Sequence, residues 1–257
     1  MYSLITHTGD LAPEIRVTGC QRSGHNFVAL LLCAMHRIAW FKQHTKRDMW
    51  DIKVLTHNEK HGYNLLTAGP IMDERSLLEP MDVWESEFAW KRISINDADY
   101  ELRAIRVTEY KDKQTLIFET ERPPGNLRLA VFRDPRNLLA SAIGKGWSLE
   151  ACRKLMEANE LQYKTPLLSD YIPIYYEEVL SSINSSNIQI GPFTCPPDLA
   201  PALRAIQQKS GNSSFASTRN VQEFTHRYER PDITSSQIWK ELRSMAEDIS
   251  SYSKGGS

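Results

Sequence analysis

The stretch Ile15-Arg16-Val17-Thr18-Gly19-Cys20-Gln21-Arg22-Ser23-Gly24-His25-Asn26-Phe27 decides the fold. Its first five residues form a short β-type run that stops at Gly19, and from Phe27 to Trp40 an apolar stretch carries Leu30, Leu31, Leu32 and Met35 at helical spacing. A strand, a loop and a helix follow from that change of period. The loop between them places a glycine, a cation, a hydroxyl and a second glycine where a helix begins. Glycines let the backbone approach an anion, the first helical N–H groups point at it, and Arg22 can add a charge-assisted hydrogen bond. Taken alone, the same letters also fit a plain structural turn.

Working outward, Gln114-Thr115-Leu116-Ile117-Phe118-Glu119 and Leu127-Arg128-Leu129-Ala130-Val131-Phe132 are two further strand candidates, separated by the turn Pro123-Pro124-Gly125-Asn126. The second runs into Arg133-Asp134-Pro135, where Asp is a helix cap and Pro suits the first helical position, so a helix is expected from Pro135 to about Ile143. Helices are also expected over 148–164, 198–209 and 235–251. Between about 48 and 110 the pattern is ambiguous. Val83–Trp90 and Leu102–Val107 read as a hairpin or as helix, and the segment is taken as an insertion beside the sheet. Strands followed by helices point to an α/β sandwich around a parallel sheet: one domain over 1–252, with 253–257 as a flexible tail.

Composition narrows the function. The chain has 257 residues, with 31 Lys and Arg against 32 Asp and Glu, so broad nucleic-acid binding is disfavoured while a local pocket for a small polyanion is not. Cys20, Cys33, Cys152 and Cys195 lie far apart, without a zinc pattern, and read as reduced structural residues of a cytoplasmic protein. No apolar run approaches the ~20 residues that span a bilayer. A Walker loop, G-x-x-x-x-G-K-[ST], would need Lys at position 25 and Ser or Thr at 26. The chain has His25 and Asn26 instead, which removes the two groups that hold terminal phosphates and magnesium in nucleotide hydrolases.

Arg133 stands at the end of its strand and Ser141 about two helical turns later, so both can face one anion. With the R-S-G loop and the run R-D-P-R-N-L-L-A-S in this order, the chain resembles the sulfotransferases that use 3′-phosphoadenosine-5′-phosphosulfate (PAPS). The resemblance covers roughly residues 15–45 and 114–230. It implies a three-layer α/β sandwich of P-loop-like architecture. In it, Arg22, Ser23, Gly24, His25 and Asn26 would hold the 5′-phosphosulfate, Phe27 would stack on adenine, and Arg133 with Ser141 would hold the 3′-phosphate. Tyr175-Tyr176-Glu177-Glu178-Val179-Leu180 is similar to the family's Y-E-D-L-type segment, which makes Tyr176 the adenine contact. Asn212-Ser213-Ser214-Phe215 resembles a later segment whose Phe packs on the base, and Arg219, Arg227 or Arg230 would supply an additional cation. His25 and Asn26 replace the two threonines common at this loop, and the family's R-K-G-x-x-G run is absent.

Sulfuryl transfer needs an in-line nucleophile, a base for its proton, and cations on the leaving phosphate. In the family the base often lies at the end of the strand preceding the R-D-P strand. Here Glu119-Thr120-Glu121-Arg122-Pro123 takes that place, so Glu121 is the expected base, with Glu119 beside it and His57, after the run Val54-Leu55-Thr56, as the rival. His61 is a weaker choice. Trp84, Phe88 and Trp90 could line an acceptor pocket or serve as core. The expectation is transfer of the sulfuryl group of PAPS to a hydroxyl or amine of a small acceptor, leaving PAP, with no metal, nucleic acid or membrane partner. A P-loop small-molecule kinase and a catalytically inactive nucleotide-binding module are the alternatives.

Overall fold

A computed structural model of the chain describes residues 14–35, 40–43, 50–58, 62–71, 93–95, 98–100, 104–111, 113, 114, 116, 127–201, 203, 204 and 225–252. Strand β1 (Glu14–Cys20) leads into helix α1 (His25–Met35), two residues earlier than the apolar run alone suggests. Three strands, β2 (Trp40–Gln43), β3 (Trp50–Asn58) and β4 (Gly62–Ile71), pair antiparallel in a sheet of their own, and β5 (Ile93–Ile95) pairs with β6 (Ala98–Tyr100). The chain then enters the main sheet with β7 (Ala104–Tyr110), β8 (Leu127–Phe132) and β9 (Ile172–Tyr175). Helices α2 (Pro135–Ile143), α3 (Leu149–Lys164), α4 (Tyr176–Ile183) and α5 (Gln237–Tyr252) complete the frame.

The main sheet is parallel, with strand order β7-β1-β8-β9. Its central strands are covered on both faces, and Arg16 and Thr18 of β1 are buried along with the apolar residues. Cys20, Ala130 and Tyr110 face the core shared by α2, α3 and α5, where Leu138, Leu139, Met156 and Trp239 are buried. Side chains alternate along a strand, so Ile15, Val17, Leu129 and Val131 point to the other face. Over β1, β7 and β8 lies α1, whose Phe27, Val28, Ala29, Leu30, Leu31 and Leu32 are all buried. A helix this apolar all round has to sit inside the molecule. The result is a mixed α/β sandwich with a four-stranded parallel sheet as its middle layer.

Local signals place several elements as expected. Asp134 caps α2 by accepting a hydrogen bond of 2.9 Å from the Arg136 N–H, and Pro135 occupies the first turn. Ser148 caps α3 through the Ala151 N–H, with Glu150 in the first turn and Lys164 in the last, a charge order that suits the helix dipole. Cys20, Cys152 and Cys195 are buried free thiols.

Two expectations change. Lys113, Gln114 and Leu116 are helical, so the run from Gln114 does not begin as a strand. The strand beside β1 on that side is β7, which spans most of the Leu102–Val107 stretch assigned to the insertion. Its residues alternate apolar and polar from Ile105 to Thr108, whereas the run from Gln114 is a block of three apolar residues between polar ones; both have strand length, and the pairing with β1 identifies the strand. The third expected helix opens as a 3-10 turn at Pro197–Leu199. Glu119, Glu121, His61, Trp84, Phe88, Trp90, Phe215 and Arg219 lie outside the described residues.

Candidate functional site

The order β7-β1-β8-β9 makes the chain leave β1 toward one side of the sheet and β8 toward the other. In open parallel sheets ligands bind outside the carboxyl ends at such a reversal, in the crevice between the two strands concerned. Here the hydrogen-bonded register of β1 and β8 stops at Thr18↔Ala130, although β1 continues to Cys20 and β8 to Phe132. The R-S-G loop follows the first strand and the R-D-P turn follows the second. Topology thus brings the two sequence motifs to the mouth of one crevice.

Their side chains meet there. Arg22 donates from Nη2 to Ser141 Oγ at 2.9 Å, and Arg133 donates from Nη1 to the Arg22 carbonyl at 3.0 Å. Two separate anion pockets were expected; the structure joins them into one cluster. Arg22 holds a left-handed backbone with φ 70°, and Gly24 follows at φ 92°. At Gly24 the requirement for glycine is double, because a Cβ would also land on the Tyr176 ring. Phe27 and Val28 donate the first amide bonds of the helix to the Gly24 carbonyl, which leaves the Gly24, His25 and Asn26 amides ahead of the helical ladder.

Tyr176 is the hub. It is buried at the start of α4, carries the Arg133 guanidinium 4.8 Å from its ring centroid, and meets Phe27 edge-on at 6.1 Å. The Phe27 ring is itself buried in that contact, so its observed part is to pack Tyr176. Burial pushes the Tyr176 hydroxyl well above its ordinary pKa, against the pull of Arg133, Arg227 and Arg22. Burial, and then the neighbouring Arg133, lowers the Arg22 pKa. A partly buried guanidinium beside a second one is costly unless an anion joins them. The buried Nε atoms of Arg22 and Arg133 have no hydrogen-bond partner among the described residues, and the nearest carboxylate oxygen, Glu177 Oε1, stands 3.9 Å from Arg133 Nε.

Arg227 reaches this region because Asn137 holds its backbone. Fully buried on α2, Asn137 donates to Glu177 Oε1 and to the Thr225 carbonyl, and accepts from the Arg227 N–H at 2.9 Å. The Arg227 guanidinium then lies against Gly144, where a Cβ would stand 2.8 Å from Nη2. Arg230 instead pairs with Asp232 at 2.9 Å, leaving Arg227 as the cation brought to the cluster among the two described candidates. Glu177 accepts from the Asp134 N–H at 3.2 Å, and burial raises its carboxyl pKa against the pull of Arg133.

Ser23 and His25 turn inward. The Ser23 hydroxyl and His25 Nδ1 share a hydrogen bond of 3.0 Å, both side chains are buried, and His25 Nε2 lies 3.6 Å from Glu109 Oε2. His25 can meet an anion only through its amide, and the Ser23 amide already donates to the Cys20 carbonyl at 3.1 Å.

Glu109 is the residue that sequence reasoning missed. It is the penultimate residue of β7, in register with Gly19, and its side chain is about one-third exposed at the carboxyl edge of the sheet. Among the described residues β7 is the strand that precedes the R-D-P strand, so Glu109 is a carboxylate at the kind of position expected for Glu121, which lies outside the described residues. The run Ala104–Tyr110, with a carboxylate next to its end, was the available signal. His57 lies in β3, opposite Tyr63, in the separate antiparallel sheet. Asn137 and Glu177 were also unassigned, although a polar residue on the buried face of α2 marks a site that must be hydrogen-bonded.

Comparisons with protein-family models, with curated proteins and with solved structures found no match for this chain, so its activity has to be read from these residues.

Proposed function

We propose that the protein transfers the sulfuryl group of PAPS to a hydroxyl or amine of a small acceptor. The observation that carries this reading is the joining of Arg22, Arg133 and Ser141 by hydrogen bonds at the β1/β8 switch point, with the Arg133 guanidinium over the Tyr176 ring and no Walker lysine or magnesium-ligating hydroxyl in the loop. Guanidiniums clustered beside a phenol ring suit a donor that carries several anionic groups on an aromatic base. Orphaned buried Nε atoms and the amides of Gly24, His25 and Asn26 fit such a group.

When bound, the donor supplies an electrophilic sulfur and a phosphate leaving group. Arg22 and the loop amides stabilise the charge that grows on the leaving oxygen. Arg133, oriented by Glu177 and by its hydrogen bond to the Arg22 carbonyl, holds a second anionic group with Arg227. Glu109, at the edge of the same crevice, accepts the proton of the attacking hydroxyl or amine. General bases of this kind contribute about 10²–10⁴-fold to rate.

The test is direct. At about a hundred times its dissociation constant PAP should raise the melting temperature by about 5–10 °C, while ATP with magnesium should not, and PAP should accumulate when PAPS is supplied with an acceptor. A shift with ATP and none with PAP would transfer the site to a kinase.

A further inference from the structure

Gln21 and Trp147 belong to two features at once. On one side the Arg22 guanidinium lies 6.0 Å from the Trp147 ring centroid. On the other, both residues line a cleft of about 880 Å³. Its floor is a stripe of α3, Ala151, Leu155, Ala158 and Leu161, whose three- and four-residue spacings keep them on one face. Cys152, Leu155 and Met156 of the same helix belong to the core, and Leu155 and Ala158 reach the cleft with only 4% of their surface exposed. The walls carry Lys111, directly after β7, with Lys113 and Lys154, and Glu157 is the one carboxylate among the described lining residues. Lys154 also approaches Glu150 at 3.3 Å, but both are about 70% exposed, and such a pair yields readily to a competing anion. Clefts of this size and lining hold organic molecules with an apolar body and a few placed polar groups.

We infer that this cleft is the acceptor site and that the acceptor is an amphipathic organic anion. Its apolar body lies on the α3 stripe, its acid group faces Lys111, Lys113 and Lys154, and its hydroxyl or amine lies at the Trp147 end of the cleft, beside Arg22. The inference rests on the sulfuryl-transfer reading. In the step it describes, the acceptor oxygen or nitrogen forms a bond to sulfur, the bond from sulfur to the 5′-phosphate oxygen breaks with its electron pair leaving on PAP, and the acceptor proton passes to the Glu109 carboxylate.

Binding measured by calorimetry on the full chain, without donor, tests the cleft separately from the chemistry. The probes are ω-hydroxydodecanoate and the neutral dodecanediol, matched in length. Exposed ion pairs are individually weak, and two or three together give about a tenfold preference for the acid. The combined variant Lys111→Gln, Lys113→Gln, Lys154→Gln should bring the two probes level and change PAP affinity less than about twofold, since these lysines are outside the arginine cluster. Equal binding of acid and diol by the unaltered protein, or binding of neither, overturns the assignment even where PAP binds normally. Absence of PAP binding overturns the donor reading and with it the acceptor role, whatever the acid does.

Discussion

On either side of Trp147 the protein presents positive charge in two different forms. Arg133 is 6% exposed, pinned by a hydrogen bond to the Arg22 carbonyl and carried over the Tyr176 ring, and Arg22 is tied to Ser141. Lys154 is 70% exposed and makes one surface pair. Planar guanidiniums with their rotamers already fixed can select the geometry of a particular anion, whereas solvated ammonium groups on flexible stems select little beyond sign. The molecule therefore reads as strict toward one anionic partner and tolerant toward another, an arrangement suited to one donor and a class of acceptors.

The largest effect is expected at Glu109, which stands near the carboxyl end of β7 against His25. Glu109→Gln should lower turnover by about 10²–10⁴-fold and leave PAP affinity within about twofold, because it removes the proton acceptor and no donor contact. If turnover were unchanged, the base would have to be sought at Glu121 or His57 again. Next in size, Arg133→Ala should weaken PAP binding by about a hundredfold, the expected loss for a buried charge-assisted contact. Arg133→Lys should still cost about tenfold, while Lys113→Arg in the cleft should change acid binding by less than about twofold. Equal tolerance at the two positions would erase the distinction between strict and permissive sites.

Gly24→Ala probes the strict side without touching charge. The new Cβ would need a left-handed backbone and would displace the Tyr176 ring, so PAP binding should fall with a stability loss of about 1–3 kcal/mol, measured by urea unfolding. Normal PAP affinity in a folded Gly24→Ala protein would show that Tyr176 is not part of the donor site. A last effect lies behind the site and leaves donor binding untouched. Burial pushes the Cys20 thiol up to about 12. The unfolded chain ionises this thiol near its ordinary value while the folded chain keeps it protonated, so its contribution to stability is complete below about pH 8.5 and is lost as pH rises toward 12. Stability should fall with a slope approaching about 1.4 kcal/mol per pH unit from this group, and Cys20→Ala should flatten it. An identical slope in both proteins would place the alkaline sensitivity elsewhere.

Much of the frame was legible because its signals are local. Asp134 with Pro135, and Ser148 with Glu150, mark helix starts within a few residues, and the structure places α2 and α3 where those caps put them. The change from strand to helix period around Gly19 and Gly24 likewise lies inside one short window. The strand beside β1 was not legible in the same way. Leu102–Val107 and Gln114–Glu119 are both short apolar-containing runs of strand length, and the choice between them depends on hydrogen bonds to a strand about ninety residues earlier. That pairing is what brought Glu109 into consideration beside Glu121.

From the letters alone came the strand-loop-helix unit at residues 15–35, the capped helices of the second half, and the chemistry of a glycine-flanked arginine loop paired with a second arginine at a strand end. Tertiary structure alone decided that Arg22 reaches Ser141, that Ser23 and His25 face inward toward Glu109, and that Asn137 delivers Arg227 to the cluster. The reason is range. Periodicity and capping act between residues a few positions apart and leave their mark on the local sequence, whereas a cluster drawn from residues 22, 109, 133, 176 and 227 exists only once the order of strands in the sheet has brought their carboxyl ends together.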